Sequence, residues 1–477
     1  MQEGMDSSLI EQHLLECMQK QRAYIHQHGI ETYDERRKHL LNLKALINEN
    51  RDALIQAVNQ DYGNRSVHET MLAEIITVTD DINSSLKHLK KWMKMQKRKV
   101  DYSMYFGAKN RVIPQPLGII GLITPWNFPI NLTFSQLSAV FAAGNKAMVK
   151  MSENSRHLSS LLIQLLPKYF SEEKLQIFEE TGTVGIAFSR LSFDHIMFTG
   201  SGATGRKVMA AAAENLTPVT LELGGKSPAI IDPEYSMEKA VERILFVKQF
   251  NAGQICTNVD YLFVHESQLE SFIEHAKSWV KAHVPDIQNK DYTSIIDQRA
   301  FERLIECLTD AEQKGATLIN LNDQQADAVN RKFPVTLVIN SNDQMQVDSR
   351  ETFGPILMVK TYNEPQQIVD YVAQRDRPLA LYPFSNNESL VNFYLEHIMS
   401  GGVCVNDALF HVGQHDLPFG GVGASGMGHY HGYEGFLTFS KLRPVFYQTG
   451  FSSMKFLAPP YGNLADRMLK FLIKFKA

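Results

Sequence analysis

Apolar residues recur at helical spacing from Asp34 to Tyr62: Leu40, Leu43, Leu46, Ile47, Leu54, Ile55 and Val58, with Gly63 as a stop. A second helix is predicted from Glu69 to Met95. It ends in a basic run (Lys87, Lys90, Lys91, Lys94, Lys97, Arg98, Lys99) that reads as a solvated helix face or, alternatively, as contact for an anionic partner. Strand-like and helix-like stretches then alternate. Leu117–Ile123, Ala147–Lys150, Gln176–Glu179 and His195–Thr199 read as strands; Ser135–Ala143, Leu158–Leu166 and Thr204–Glu214 read as helices. This rhythm implies a parallel sheet covered by helices. A second alternating region runs from about Gly224 to Val403, with helices at Met237–Phe250 and Gln268–His283. In the tail, Leu464, Met468, Leu469, Leu472, Ile473 and Phe475 alternate with Arg467, Lys470, Lys474 and Lys476. That is an amphipathic basic helix, to pack on the body or a second subunit or to lie on a membrane surface.

A chain of 477 residues exceeds a single core and implies two or three domains. Net charge is −4, which gives no electrostatic reason to expect nucleic acid. The four cysteines, Cys17, Cys256, Cys307 and Cys404, fit no metal spacing and no disulfide framework, so no metal and a reducing, cytoplasmic setting are expected. The first thirty residues, with Glu3, Asp6 and Glu11, show no secretory core, and no run of about 18 apolar residues appears.

Several short motifs carry chemistry. Gly200-Ser201-Gly202-Ala203-Thr204-Gly205 matches the G-x-G-x-x-G turn that seats a pyrophosphate at a helix N-terminus. That fingerprint wants an acid about 20 residues on, and Glu222 fits; it fits equally as a catalytic base. Lys150 and Glu153 follow directly on a strand and suit an adenosine ribose, or else an ordinary helix start capped by Ser152. Thr124-Pro125-Trp126-Asn127-Phe128-Pro129 is rigid, so Asn127 is a turn residue or an amide held for a developing oxyanion. Cys17, Cys307 and Cys404 read as buried packing. Cys256 departs from that because Asn251, Gln254, Thr257 and Asn258 surround it, which suits a nucleophile.

Together these segments resemble the aldehyde dehydrogenase superfamily. The carriers are Phe198-Thr199-Gly200-Ser201, Leu221-Glu222-Leu223-Gly224-Gly225-Lys226, Gly253-Gln254-Ile255-Cys256, Glu351-Thr352-Phe353-Gly354-Pro355 and Leu417-Pro418-Phe419-Gly420-Gly421. Ser425-Gly426-Met427-Gly428-His429-Tyr430-His431-Gly432 resembles the class 3 branch, and the coniferyl aldehyde group within it. The resemblance implies an α/β fold with a Rossmann-like parallel-sheet cofactor domain (1–100 and 114–223), a second α/β catalytic domain (224–403), a small β oligomerisation arm (101–113 and 404–450) and a tail helix (451–477). It implies that Cys256 is the nucleophile, Glu222 the general base and Asn127 an oxyanion donor. It assigns cofactor contacts to Thr124, Trp126, Lys150, Glu153, Gly200, Ser201, Gly205, Glu351 and Phe353, with Gly202 free to vary. It implies NAD, with NADP possible, an apolar aldehyde as substrate, and a homodimer. Phe128, Phe410 and Phe419, beside these motifs, line the substrate pocket or pack the core. The thiolate needs nearby donors to form, because thiols titrate near pH 8.5. Rival readings are thioester release to coenzyme A, a catalytically silent binding protein, and a cofactor-free cysteine hydrolase.

Overall fold

The computed structural model describes residues 7–450 and 452–476. Glu3 and Asp6, and the ends of the expected tail segment at 451 and 477, lie outside the described residues.

Among the described residues three sheets form. The first has the order Gly426–Met427, Val219–Leu223, His195–Gly200, Ile119–Ile123, Lys146–Lys150, Leu175–Phe178. It is parallel except for its first pair. Its apolar residues alternate between two cores. Ile120, Leu122, Ala147, Val149 and Met197 face one; Ile119, Ile123, Met148, Ile196 and Phe198 face the other. A sheet covered on both faces favours near-continuous apolar runs, as in Ile119–Ile123, and its polar members, Lys150, Thr199 and Glu222 among them, sit toward strand ends.

The second sheet is ordered Thr317–Asn320, Thr336–Ile339, Ile356–Tyr362, Val259–His265, Ser227–Ile231, Ala380–Phe384, Gly402–Val403, antiparallel only at its first pair. Leu262, Val264, Leu357 and Val359 face one core, and Tyr261, Phe263, Ile356 and Met358 the other. The third sheet is antiparallel, Gln96–Arg98, Lys109–Pro116 and Ser440–Tyr447.

The structure departs from the sequence reading in local ways. The helix expected over 34–62 is two, Tyr33–Glu49 and Arg51–Tyr62, broken at Asn50; Gly63, at φ 73°, ends the second. The helix expected over 69–95 contains a π-helical stretch, Met71–Ile76, and ends at Trp92. The lysines of its basic run are exposed. A first helix, Ser7–His28, escaped prediction because its apolar residues do not form one clean face; Ile10, Leu14, Cys17 and Met18 pack it on the first sheet while Leu9 and Leu15 stay exposed. The 404–450 segment is divided. Gly426–Met427 joins the first sheet, and only Ser440–Tyr447 joins the third, because glycines at 421 and 426 let backbone approach where a Cβ would collide with Ser425 and Leu221 carbonyls. Residues 101–108 are turns rather than strand. Cys17 and Cys307 are buried as expected, whereas Cys404 is partly exposed. The tail helix spans Asn463–Lys476 with Ala465 turned inward and Leu464, Phe471 and Phe475 exposed. No described helix is long and apolar enough to cross a membrane.

Candidate active site

A groove of about 800 Å³ opens where the first and second sheets meet, and Asn127, Glu222 and Cys256 all line it. Glu222 points in from the strand Val219–Leu223, held in register between Thr199 and Gly426. Cys256 arrives on a turn. The helix Met237–Gln249 stops, and Asn251, Ala252 and Gly253 adopt φ of 52°, 49° and 73°. Such left-handed residues persist only where the surroundings hold them. Here Asn251 Nδ2 donates to Gln254 O at 3.0 Å, Gln254 Nε2 donates to Asn251 O at 2.9 Å and to Ser294 O at 3.1 Å, and Asn258 Nδ2 donates to Gly253 O at 2.6 Å.

The Asn127 carbonyl is a hub. It accepts from Arg65 Nη1 at 2.7 Å, Tyr62 Oη at 3.0 Å and Asn251 Nδ2 at 3.1 Å. Its side-chain amide donates to Gln254 O at 3.2 Å. An amide nitrogen carries two hydrogens, so one remains for a groove-side acceptor. Arg65 is fully buried, lies 3.2 Å from Glu74 Oε1, and stacks on Tyr62 and Phe128. Sequence reasoning missed Tyr62, Arg65 and Asn251, because their roles depend on contacts across 60 to 190 positions that no local pattern announces.

The electrostatics oppose charge at the centre. Burial pushes the Cys256 thiol up to about 12; the Glu351 and Glu222 carboxylates add to this, and the N–H groups of Cys256 and Thr257 work against it. The nearby donors that a thiolate needs are present as the Cys256 and Thr257 N–H groups, but burial and the two carboxylates outweigh them, although Cys256 itself is only partly buried. Burial also pushes Glu222 well above the carboxylate range, with the Gly421 backbone N–H working weakly against it, and neither oxygen makes a hydrogen bond of ordinary geometry. Burial moves Glu351 up to about 8.

The remaining predicted residues divide. Trp126, Gly200, Ser201, Glu351 and Phe353 line the groove. Phe353, at φ 47°, sets its ring edge-on to Trp126 at 5.6 Å. Thr124 does not reach the groove lining; its hydroxyl is buried against Met151 Sδ at 3.5 Å. Lys150 and Glu153 sit beyond the lining too, Lys150 paired with Glu180 at 2.7 Å and Glu153 exposed. Phe128, Phe410 and Phe419 are also outside it. Phe128 begins an aromatic row, 6.4 Å from Phe250, which lies 5.6 Å from Phe246, itself 6.2 Å from exposed Phe410. Phe419 instead stacks on His431 at 5.4 Å.

The residues present fit a dinucleotide. Ser201 caps the helix Gly202–Ala213 by accepting from Thr204 N, leaving the first turn's other N–H groups to face an anion. A Cβ at Gly200 would lie 2.7 Å from the Phe198 ring, and one at Gly205 would lie 2.8 Å from Leu223 Cδ2. One at Gly202 would meet nothing closer than 3.7 Å. The fold therefore requires the first and third glycines and not the second.

The family model described as "Aldehyde dehydrogenase family" matches residues 13–445. The chain belongs to the aldehyde dehydrogenase family. It is 46% identical over 428 residues to a probable coniferyl aldehyde dehydrogenase of Pseudomonas aeruginosa, covering 90% of this chain and 89% of that one. It is 45% identical over 435 residues to a coniferyl aldehyde dehydrogenase of a Pseudomonas species, covering 90% of each. Among solved structures, the substrate-bound state of Staphylococcus aureus AldH superposes with a TM-score of 0.90 at 30% identity, over 96% of this chain and 99% of that one. As an aldehyde dehydrogenase, the protein is an NAD(P)-dependent oxidoreductase acting on aldehydes.

Proposed function

We propose that this aldehyde dehydrogenase oxidises an aromatic aldehyde of the coniferyl type to its carboxylic acid through a thioester on Cys256. The observation that carries the reading is one groove lined by a thiol, a buried carboxylate with almost no donors and a tethered amide. Cys256 gives up its proton to solvent in the groove, and the thiolate sulfur bonds to the carbonyl carbon as the C=O π pair moves onto oxygen. The carbonyl oxygen becomes an oxyanion, met by the free hydrogen of the Asn127 amide and the Cys256 N–H; one such donor is typically worth about 3 kcal/mol in a transition state. NAD, when bound, supplies the hydride acceptor that turns this adduct into a thioester. Glu222 then takes a proton from water, the hydroxide adds to the thioester carbon, and the carbon–sulfur bond breaks to return the thiolate.

A buried carboxylate with few donors is a strong base once ionised, which supports this role for Glu222. Gly200, Ser201 and Gly205 shape the pyrophosphate turn, Glu351 holds the nicotinamide ribose, with Trp126 and Phe353 beside it, and Lys150 with Glu153 takes the adenosine ribose. Thr124 acts through the strand end rather than by contact. The row Phe128–Phe250–Phe246–Phe410 forms the wall for an aromatic ring, with Phe419 outside it. The relatives' names support the same substrate class. Residues 1–100 and 114–223, apart from the strand segments 96–98 and 114–116 that belong to the third sheet, act as the cofactor domain and 224–403 as the catalytic domain. The third sheet, with its exposed edge at Gln96–Arg98, is the arm of a homodimer, and the enzyme works in the cytoplasm. Steady-state rates over a panel of aldehydes with each coenzyme test the reading: phenylpropenals are to exceed short aliphatic aldehydes in kcat/KM, and the opposite order overturns the substrate assignment.

A further inference from the structure

Lys150 and Glu180 form a closed unit at the end of the first sheet. The Lys150 ammonium lies 2.7 Å from Glu180 Oε2, and both side chains are nearly buried, 9% and 11% exposed. Glu180 is fixed in turn. Its Oε1 accepts from Gly182 N at 2.8 Å and Val184 N at 3.2 Å, and its Oε2 accepts from Gly185 N at 2.9 Å. The fit is close on every side: a Cβ on Gly185 would lie 2.8 Å from Glu180 Oε2 and 3.4 Å from Lys150 Nζ. Burial alone would raise the Glu180 carboxyl, but Lys150 and the backbone donors hold it below its ordinary value, so Glu180 faces the lysine as a carboxylate. Neither residue belongs to the groove around Cys256, and the chemistry there does not use Glu180.

We propose that Glu180 sets the coenzyme choice in favour of NAD by occupying the ammonium of Lys150. The proposal rests on the reading that Lys150 and Glu153 take the adenosine ribose. NAD presents two hydroxyls there. Exposed Glu153 can accept from them, and Lys150 keeps two of its three hydrogens for hydroxyl oxygens. NADP presents a phosphate of roughly −1.5 to −2 charge instead. That phosphate needs an uncommitted cation. It meets an ammonium already neutralised by Glu180, together with the like charge of Glu153. Pulling Lys150 away strands a nearly buried carboxylate, so the lysine does not swing to the phosphate without loss. The backbone donors around Glu180 make the arrangement rigid rather than incidental.

The test is equilibrium binding of NAD and of NADP, each alone without aldehyde, read by quenching of tryptophan fluorescence, since Trp126 lines the groove. Wild type is to bind NAD more tightly than NADP. Glu180→Gln is to tighten NADP by about tenfold, the size of one charge-assisted contact, while NAD stays within about threefold. Glu180→Ala, which places no amide against Gly185, is to shift the choice in the same direction. Lys150→Met combined with Glu180→Gln is to lose the gain. Unchanged NADP affinity in both Glu180 variants, or a gain that survives Lys150→Met, overturns the proposal. Wild type that prefers NADP overturns it while leaving the coenzyme groove intact. Wild type that binds neither coenzyme overturns the groove reading itself, and the proposal with it.

Discussion

The side-chain amide of Asn127 donates to the carbonyl of Gln254 at 3.2 Å, two residues before Cys256. This bond ties the turn after the strand Ile119–Ile123 to the turn that presents the thiol. The proposed oxyanion donor and the proposed nucleophile are therefore set relative to each other, not only to the scaffold.

Arg65 stands behind that bond. It is the charged donor on the Asn127 carbonyl and the partner of buried Glu74. Arg65→Met is expected to lower the pre-steady-state burst by at least about tenfold and to destabilise the fold by about 3–5 kcal/mol, since Glu74 is left buried and unpaired. Arg65→Lys is expected to recover part of both. Burst amplitude and thermal unfolding together check this. A Met variant with a normal burst separates Arg65 from positioning.

Glu222 is expected to carry a stability cost. Its carboxyl is raised in the folded protein, so the folded state holds the proton more tightly than the unfolded chain. Stability therefore falls as pH rises from about 4.3, the ordinary Glu value, toward the folded value. Below that window both states are protonated and no cost remains. Glu222→Gln is expected to stabilise the protein at neutral pH by about 1–3 kcal/mol, with the gain vanishing below about pH 4. Melting curves of both proteins across pH measure it; a variant less stable than wild type at pH 7 contradicts it.

Cys256 without coenzyme is expected to alkylate slowly at pH 7.5 and faster toward pH 12, because its thiol is pushed up to about 12 by burial first and by Glu351 and Glu222 next. Glu351→Gln removes the larger charge effect and is expected to speed iodoacetamide labelling of Cys256 at pH 8.5 several-fold. Labelling followed by peptide mass mapping gives the rate at this cysteine alone. No acceleration means that Glu351 does not bear on the thiol.

The phosphate turn gives a prediction by contrast. Gly202→Ala is expected to leave NAD affinity unchanged, since its Cβ would make only an ordinary contact, 3.7 Å from Arg206 Nη1. Gly205→Ala is expected to weaken NAD binding by at least about tenfold, because the helix must move off Leu223 to admit a methyl group. Equal tolerance of both changes contradicts the packing argument.

The sequence showed the fold through its runs. Ile119–Ile123 and Lys146–Lys150 are buried at every position, and such strands are legible because both faces demand apolar residues. The helix Ser7–His28 was not legible, since only a narrow stripe of it packs. In the site, Cys256, Glu222 and Asn127 were visible because each departs from the ordinary use of its residue type beside a glycine or proline. Arg65 and Glu180 were invisible. Their meaning lies in a partner, Asn127 in one case and Lys150 in the other, that only folding brings near.

The most direct measurement is intact-protein mass spectrometry of Glu222→Gln mixed with NAD and coniferyl aldehyde. The account predicts an acyl adduct that accumulates on Cys256, releases slowly, and is absent when Cys256→Ala is added. Turnover at the wild-type rate without that adduct, or an adduct carried by Cys404, contradicts it.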